Sequence, residues 1–134
     1  MERNLITPLA ESSRLRVAPL TLSVVHPDFG RVANIVLETG IWRRAVGGVR
    51  MLPDVTENHV ADLARAMTYK FAFLNMPCTG AKGGVVASPS WFPEQKVEVL
   101  RYVGRSVARL IRAGLYTPGS DLGFGLSDCW EMLR

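Results

Sequence analysis

Residues 56–87 read TENHVADLARAMTYKFAFLNMPCTGAKGGVVA, and the change of pattern inside them decides the fold class. Thr56 carries the short side-chain oxygen of a helix N-cap. Val60, Leu63, Ala64, Met67, Phe71 and Leu74 then recur at intervals of three and four, the period of a helix with one apolar face. The spacing predicts an amphipathic helix over about residues 57–75. Residues 76–84 are dense in small side chains and predict a loop whose main chain can approach a ligand closely, because glycine brings no Cβ. Residues 84–87, GVVA, return to strand composition.

The same reading extends in both directions. Residues 20–26 (LTLSVVH) and 32–37 (VANIVL) flank the turn chemistry of Pro27-Asp28-Phe29-Gly30 and predict a β-hairpin. Residues 47–52 (GGVRML) predict a short extended piece with a loop or bulge at the double glycine, closed by Pro53-Asp54. Beyond the glycine loop, Pro93 suits a first helical turn, and Val97, Leu100, Val103, Val107, Leu110 and Ile111 form an apolar face as far as Gly114. A second long helix is therefore expected. Residues 116–125 predict a loop and residues 127–134 about two helical turns, whereas residues 1–19 carry no strong signal. Strands mixed with helices indicate one α/β layered domain over residues 20–134.

Composition restricts the function classes. A chain of 134 residues, 48% hydrophobic and 21% charged, can bury its own core, and disordered or collagen-like classes are excluded. A two-domain cofactor enzyme does not fit this length. Cys78 and Cys129 lack metal-ligand or disulfide-framework spacing and read as reduced thiols, so no metal is expected and a cytoplasmic location is. No apolar run reaches bilayer length and the first sixteen residues lack a signal-peptide core, so neither secretion nor membrane insertion is expected. The net charge is +4, and Arg101, Arg105, Arg109 and Arg112 recur at helical spacing. Without an aromatic platform or recognition motif, that stripe reads as a solvated face or an oligomer contact, not a nucleic-acid footprint.

Three charged side chains sit beside unusual backbone: Lys70 near the end of the first helix, Lys82 within Gly80-Ala81-Lys82-Gly83-Gly84, and Asp121 between Ser120 and Leu122-Gly123. Singly, each has a plain structural reading as a helix-end cation, a surface turn or ordinary turn vocabulary. A phosphate cradle of the GxxxxGK[ST] type is absent, since Gly83 follows Lys82.

Taken in order, the words GGVR (47–50), MTYK (67–70), PCTGAKGG (77–84) and GSDLGFG (119–125) resemble the glutamate/leucine/phenylalanine/valine dehydrogenase family over about residues 20–134. The match is to the amino-terminal, substrate-binding and dimerisation domain. The resemblance implies a three-layer domain with a mixed sheet flanked by helices. It places the α-carboxylate of an α-amino or α-keto acid on Lys70, the catalytic lysine at Lys82 and proton exchange with the substrate amine at Asp121, with Gly47, Gly48, Val46 and Met67 lining the substrate site. Two ammonium groups in a partly dry cleft disfavour each other's charge, which suits one to proton transfer and the other to an anion, with the aspartate offsetting the excess.

Departures from the family pattern bear on substrate. Phe71 stands where an asparagine commonly follows Tyr-Lys, Thr79 replaces a glycine, and Val46 occupies the position where glutamate-specific members carry a lysine. Val46, Met67 and Phe71 together suit an aliphatic or aromatic substrate side chain, or else are ordinary core. No GxGxxG follows a strand in a βαβ context, so no residue is assigned to a dinucleotide. The resemblance therefore implies hydride transfer only if NAD(P) comes from a separate Rossmann-domain chain. Two other readings stand beside it: a non-redox enzyme using the lysines and aspartate for proton transfer or imine chemistry, and a catalytically silent dimerisation or regulatory module. A homodimer or higher homo-oligomer is expected through the hairpin at residues 20–37.

Overall fold

The turn between the first two strands is set by Gly30, whose positive φ of 69° only glycine adopts without strain. The computed structural model describes residues 18–40 and 42–134, so most of the weak N-terminal segment lies outside the described residues. Strand β1 (Leu20–His26) pairs antiparallel with β2 (Gly30–Leu37), with a register shift between Val24 and Val25. There follow β3 (Ala45–Leu52), α1 (Glu57–Phe73), β4 (Thr79–Val86), α2 (Pro93–Arg112), β5 (Tyr116–Gly119) and α3 (Leu126–Leu133). The five strands form one mixed sheet in the order β1-β2-β4-β3-β5, in which β3 runs parallel to both β4 and β5. Helix α1 covers one face and α2 with α3 the other. The architecture is the three-layer α/β domain that the resemblance implied.

Three expectations are corrected. The glycine-rich segment is not a loop: residues 79–86 form β4, the central strand, buried along nearly its full length. Its glycines make room for a helix. A Cβ on Gly80 would lie 2.1 Å from Ala64 O, and one on Gly84 would lie 2.4 Å from a Val60 methyl, so α1 could not seat on β4 if either were alanine. The double glycine of β3 makes no bulge either, since β3 keeps one register against β4 from Ala45↔Thr79 to Leu52↔Val86. Finally, Tyr116–Gly119 is a strand, and Pro118 is accommodated because β5 is the sheet edge.

The helices follow their patterns. Thr56 caps α1, its Oγ1 accepting from the His59 backbone N–H at 3.2 Å, and Phe92 N–H donates to Gln95 Oε1 at 2.8 Å at the start of α2. On α2 the fully buried positions are Val99, Leu100, Val103, Gly104 and Val107, while Val97, Leu110 and Ile111 are half-buried. All of them but Val97 and Gly104 pack with Ile35, Val49, Val85, Tyr116 and Phe124 beneath the sheet. The arginine stripe lies on the solvated side, where Arg101 pairs with Glu131 of α3 at 2.8 Å. No helix among the described residues is long and apolar enough to cross a membrane.

Candidate functional site

Strand alternation decides which side chains meet. Gly80 and Gly84 face α1, so Lys82, two residues from each, points to the same side. On β3 the ring of His59 from α1 reaches Arg50, which places Val46, Gly48 and Arg50 on that face too. A Cβ on Gly48 would lie 2.5 Å from Ser120 O and 3.0 Å from Asp121 Cβ. That glycine is the gap through which the turn after β5 folds down onto the sheet. The turn is closed by reciprocal hydrogen bonds between Asp121 and Phe124, and it is tied to β3 by Met51 N–H donating to Leu122 O at 3.0 Å.

The result is a charged cluster on the α1 face. Lys82 Nζ lies 2.8 Å from Asp121 Oδ2, and Arg50 Nε donates to the same oxygen at 2.9 Å. The lysine side chain is only 7% exposed, and that carboxylate is its ion-pair partner. Burial alone pushes the Asp121 carboxyl up. Hydrogen bonds from Lys82 and Arg50, the charge of Lys82 and the Leu122 backbone N–H outweigh it, and the group is held below its ordinary value. At neutral pH the cluster is thus a carboxylate shared by two cations.

Other expected site residues distribute unevenly. His59, Leu63, Met67 and Lys70 follow at intervals of four, four and three, so Met67 and Lys70 lie on the flank of α1 that His59 shows to be turned toward β3. Lys70 is exposed and forms no ion pair among the described residues; Met67 and Val46 are half-buried. Thr68 between them anchors the helix, its Oγ1 accepting from Gly80 N–H at 2.9 Å. Gly47 does not open toward the cluster: it is buried where a Cβ would overlap Ala81 O. Phe71 is buried as part of the core, and the Thr79 hydroxyl donates to Glu38 O at 2.8 Å, a structural bond. Lys82 and Asp121, two of the three charges the sequence singles out, meet at contact distance, and Lys70 is not part of their ion pair.

The residues after β5 do not suit a dinucleotide. At the N-terminus of α3, where a pyrophosphate would sit, Asp128 accepts from Gly125 N–H at 3.0 Å and brings a negative charge that disfavours an anion. A cavity of about 570 Å³ is an open groove along α2 at Glu98 and Arg101, on the face opposite Lys82.

The sequence model of a family described as "Glu/Leu/Phe/Val dehydrogenase, dimerisation domain" matches residues 35–132. The chain belongs to that family. Among curated relatives, glutamate dehydrogenase A2 of Halobacterium salinarum is 36% identical over 77 residues, 57% of this chain and 18% of the relative. Two solved structures share the fold at a TM-score of 0.70. The hetero-hexameric glutamate dehydrogenase of Thermus thermophilus, in a leucine-bound form, is 29% identical, with 89% of this chain and 30% of that one covered. L-tryptophan dehydrogenase of Nostoc punctiforme is 26% identical, with 94% and 37% covered. The chain therefore spans about a fifth of the curated relative and about a third of each solved chain. Within this dehydrogenase-family domain, the sequence reading quoted Arg50 only as part of GGVR, without a role, and gave His59 no place. Arg50 could have been found, since it stands two residues after Gly48 and so shares its face of the strand; His59 carries no such signal.

Proposed function

We propose that the α1 face of the sheet binds an α-amino or α-keto acid with an apolar side chain, and that Lys82 and Asp121 move protons at its α-substituent. The observation that carries this reading is the Lys82–Asp121 pair at 2.8 Å, its lysine buried, on the face of the sheet that α1 covers. Lys70, solvated and without an ion partner among the described residues, supplies a charge-assisted contact to the α-carboxylate. Val46 and Met67 border the substrate side chain. A second carboxylate there would lose its hydration without gaining a cation, so leucine-like and aromatic acids are preferred over glutamate or 2-oxoglutarate. Gly48 serves by admitting the Asp121 turn, and Gly47 by the close approach of β3 to β4.

Oxidation of the amino acid needs a hydride acceptor. In this reading NAD(P) is held by a separate dinucleotide-binding polypeptide or domain, and this chain contributes substrate binding and proton transfer. The mixed sheet also leaves the outer edge of β1 without a strand partner among the described residues. Pairing of β1 with a second copy would give an isologous homodimer, consistent with the family's description as a dimerisation domain.

Calorimetric titration with leucine, phenylalanine, glutamate and their keto acids tests the site. Binding of the apolar acids, lost in Lys70→Ala and kept in Lys82→Met, is the expected pattern. Tighter binding of glutamate, or an unchanged affinity in Lys70→Ala, overturns it. Light scattering that returns a 14.8 kDa particle at high micromolar concentration refutes the dimer.

A further inference from the structure

Arg50 has no part in the reading above, yet it touches the cluster at its centre. A guanidinium only donates hydrogen bonds. The 3.0 Å contact between Arg50 Nη1 and His59 Nε2 is therefore a hydrogen bond only when Nε2 offers its lone pair, with the ring proton on Nδ1. Through Nε the same guanidinium donates to Asp121 Oδ2, the oxygen that also holds Lys82 Nζ. Arg50 is thus gripped on both sides, by a carboxylate inside the site and an imidazole at its rim.

We propose that Arg50 is a positioning residue: held from its far side by neutral His59, it keeps Asp121 Oδ2 on Lys82 Nζ, and protonation of His59 releases that hold. The proposal rests on Lys82 and Asp121 being the proton-transfer pair. A protonated ring would turn an N–H and a positive charge toward Nη1, so the contact would become a repulsion between two donors. Behind Arg50 stand Asp121 and Lys82, from the β5–α3 turn and β4. Asp54, of the turn before α1, shares with His59 an open hollow of about 310 Å³. On α1 itself are Glu57, which lies 3.8 Å from Arg31, and Asp62. The contact is exposed at His59 and covered at Asp121, which makes the ring the end that solvent protons reach first.

The test uses the full chain with ¹⁵N-labelled histidine and ¹³C-labelled aspartate carboxyls. Long-range ¹⁵N–¹H spectra at alkaline pH show which ring nitrogen of His59 carries the proton, with the resonance assigned by its absence in His59→Gln. The wild type is expected in the Nδ1–H form, and Arg50→Met in a mixture with the Nε2–H form. The Asp121 carboxyl resonance, assigned with Asp121→Asn, should shift in step with the charging of His59. In His59→Gln that step disappears, because the glutamine Oε1 accepts from Arg50 at every pH and never gains a proton. His59 is exposed, so this variant keeps the test open if Arg50→Met fails to fold. An Nε2–H ring in the wild type overturns the proposal. So does an Asp121 resonance that ignores the His59 titration, or that keeps the step in His59→Gln. None of these measurements uses a ligand, whereas failure of the reading on which it rests would be seen as failure of the acids to bind the wild type.

Discussion

Gly48→Ala isolates the contact that places Asp121. The new Cβ would lie 2.5 Å from Ser120 O, and an ordinary contact begins at about 3.4 Å, so the turn must retreat by about 0.9 Å. Taken up along the Asp121 bonds, that movement lengthens the 2.8 Å contact to Lys82 and the 2.9 Å contact to Arg50 beyond hydrogen-bonding distance. Overpacking of this kind costs about 1–3 kcal/mol, and at this chain length each kcal/mol lowers Tm by about 3–5 °C. A fall of about 6–10 °C is the central expectation. The Asp121 carboxyl, having lost the donors that hold it down, should titrate closer to an ordinary aspartate. Gly119→Ala is the matched control: it lies opposite Gly48 in β5, and a Cβ there meets nothing within 4 Å. Calorimetric melting and ¹³C carboxyl titration of both variants decide the matter. If Gly48→Ala melts with the wild type and leaves the Asp121 titration in place, Gly48 is not the gap that seats the turn.

Three further outcomes follow from the same geometry. Asp121→Asn removes a carboxyl whose folded-state value is depressed, so the stability at stake is present above the unfolded value of about 3.9 and is lost as pH falls through the folded one. Urea denaturation should therefore find the variant weaker at pH 7 and the gap closing below about pH 4; a constant gap contradicts it. Val46→Lys should raise affinity for 2-oxoglutarate relative to the keto acid of leucine by about tenfold, the worth of one charge-assisted hydrogen bond, read by calorimetry; an unchanged ratio places the substrate side chain elsewhere. Gly104→Ala should unseat α3, because its Cβ would overlap Met132 O; the check is a Tm lower by several degrees with faster proteolysis within residues 126–133, and a wild-type melt refutes the close crossing.

How far the fold could be read from sequence depended on what each pattern encodes. The hairpin, α1 and α2 announce themselves, because their periodicity or turn chemistry is local. β4 does not: its glycines look like loop vocabulary, and only the seating of α1 against Gly80 and Gly84 explains why the central strand lacks side chains there. β5 hides for a related reason, since Pro118-Gly119 is poor strand composition that an edge position tolerates. Of the site, Lys82 and Asp121 stand out in the sequence as charges set among glycines, but their meeting is long-range, 39 positions apart, and no periodicity carries it. Arg50 was passed over because an arginine in a half-buried strand has no chemistry until its partners are in place.

Lys82 and Asp121 are also held by parts of the molecule that open on different clocks. The lysine hangs from the middle of β4, a strand hydrogen-bonded on both sides and covered on both faces, whose amides can exchange with solvent only when the whole domain opens. The aspartate rides on a four-residue turn beside a short edge strand, pinned by Met51 N–H donating to Leu122 O and by the buried Phe124. In hydrogen-exchange terms, one half of the pair hangs from the best-protected strand and the other from an edge, where protection is lower. Of the two partners, the ammonium is the more firmly fixed.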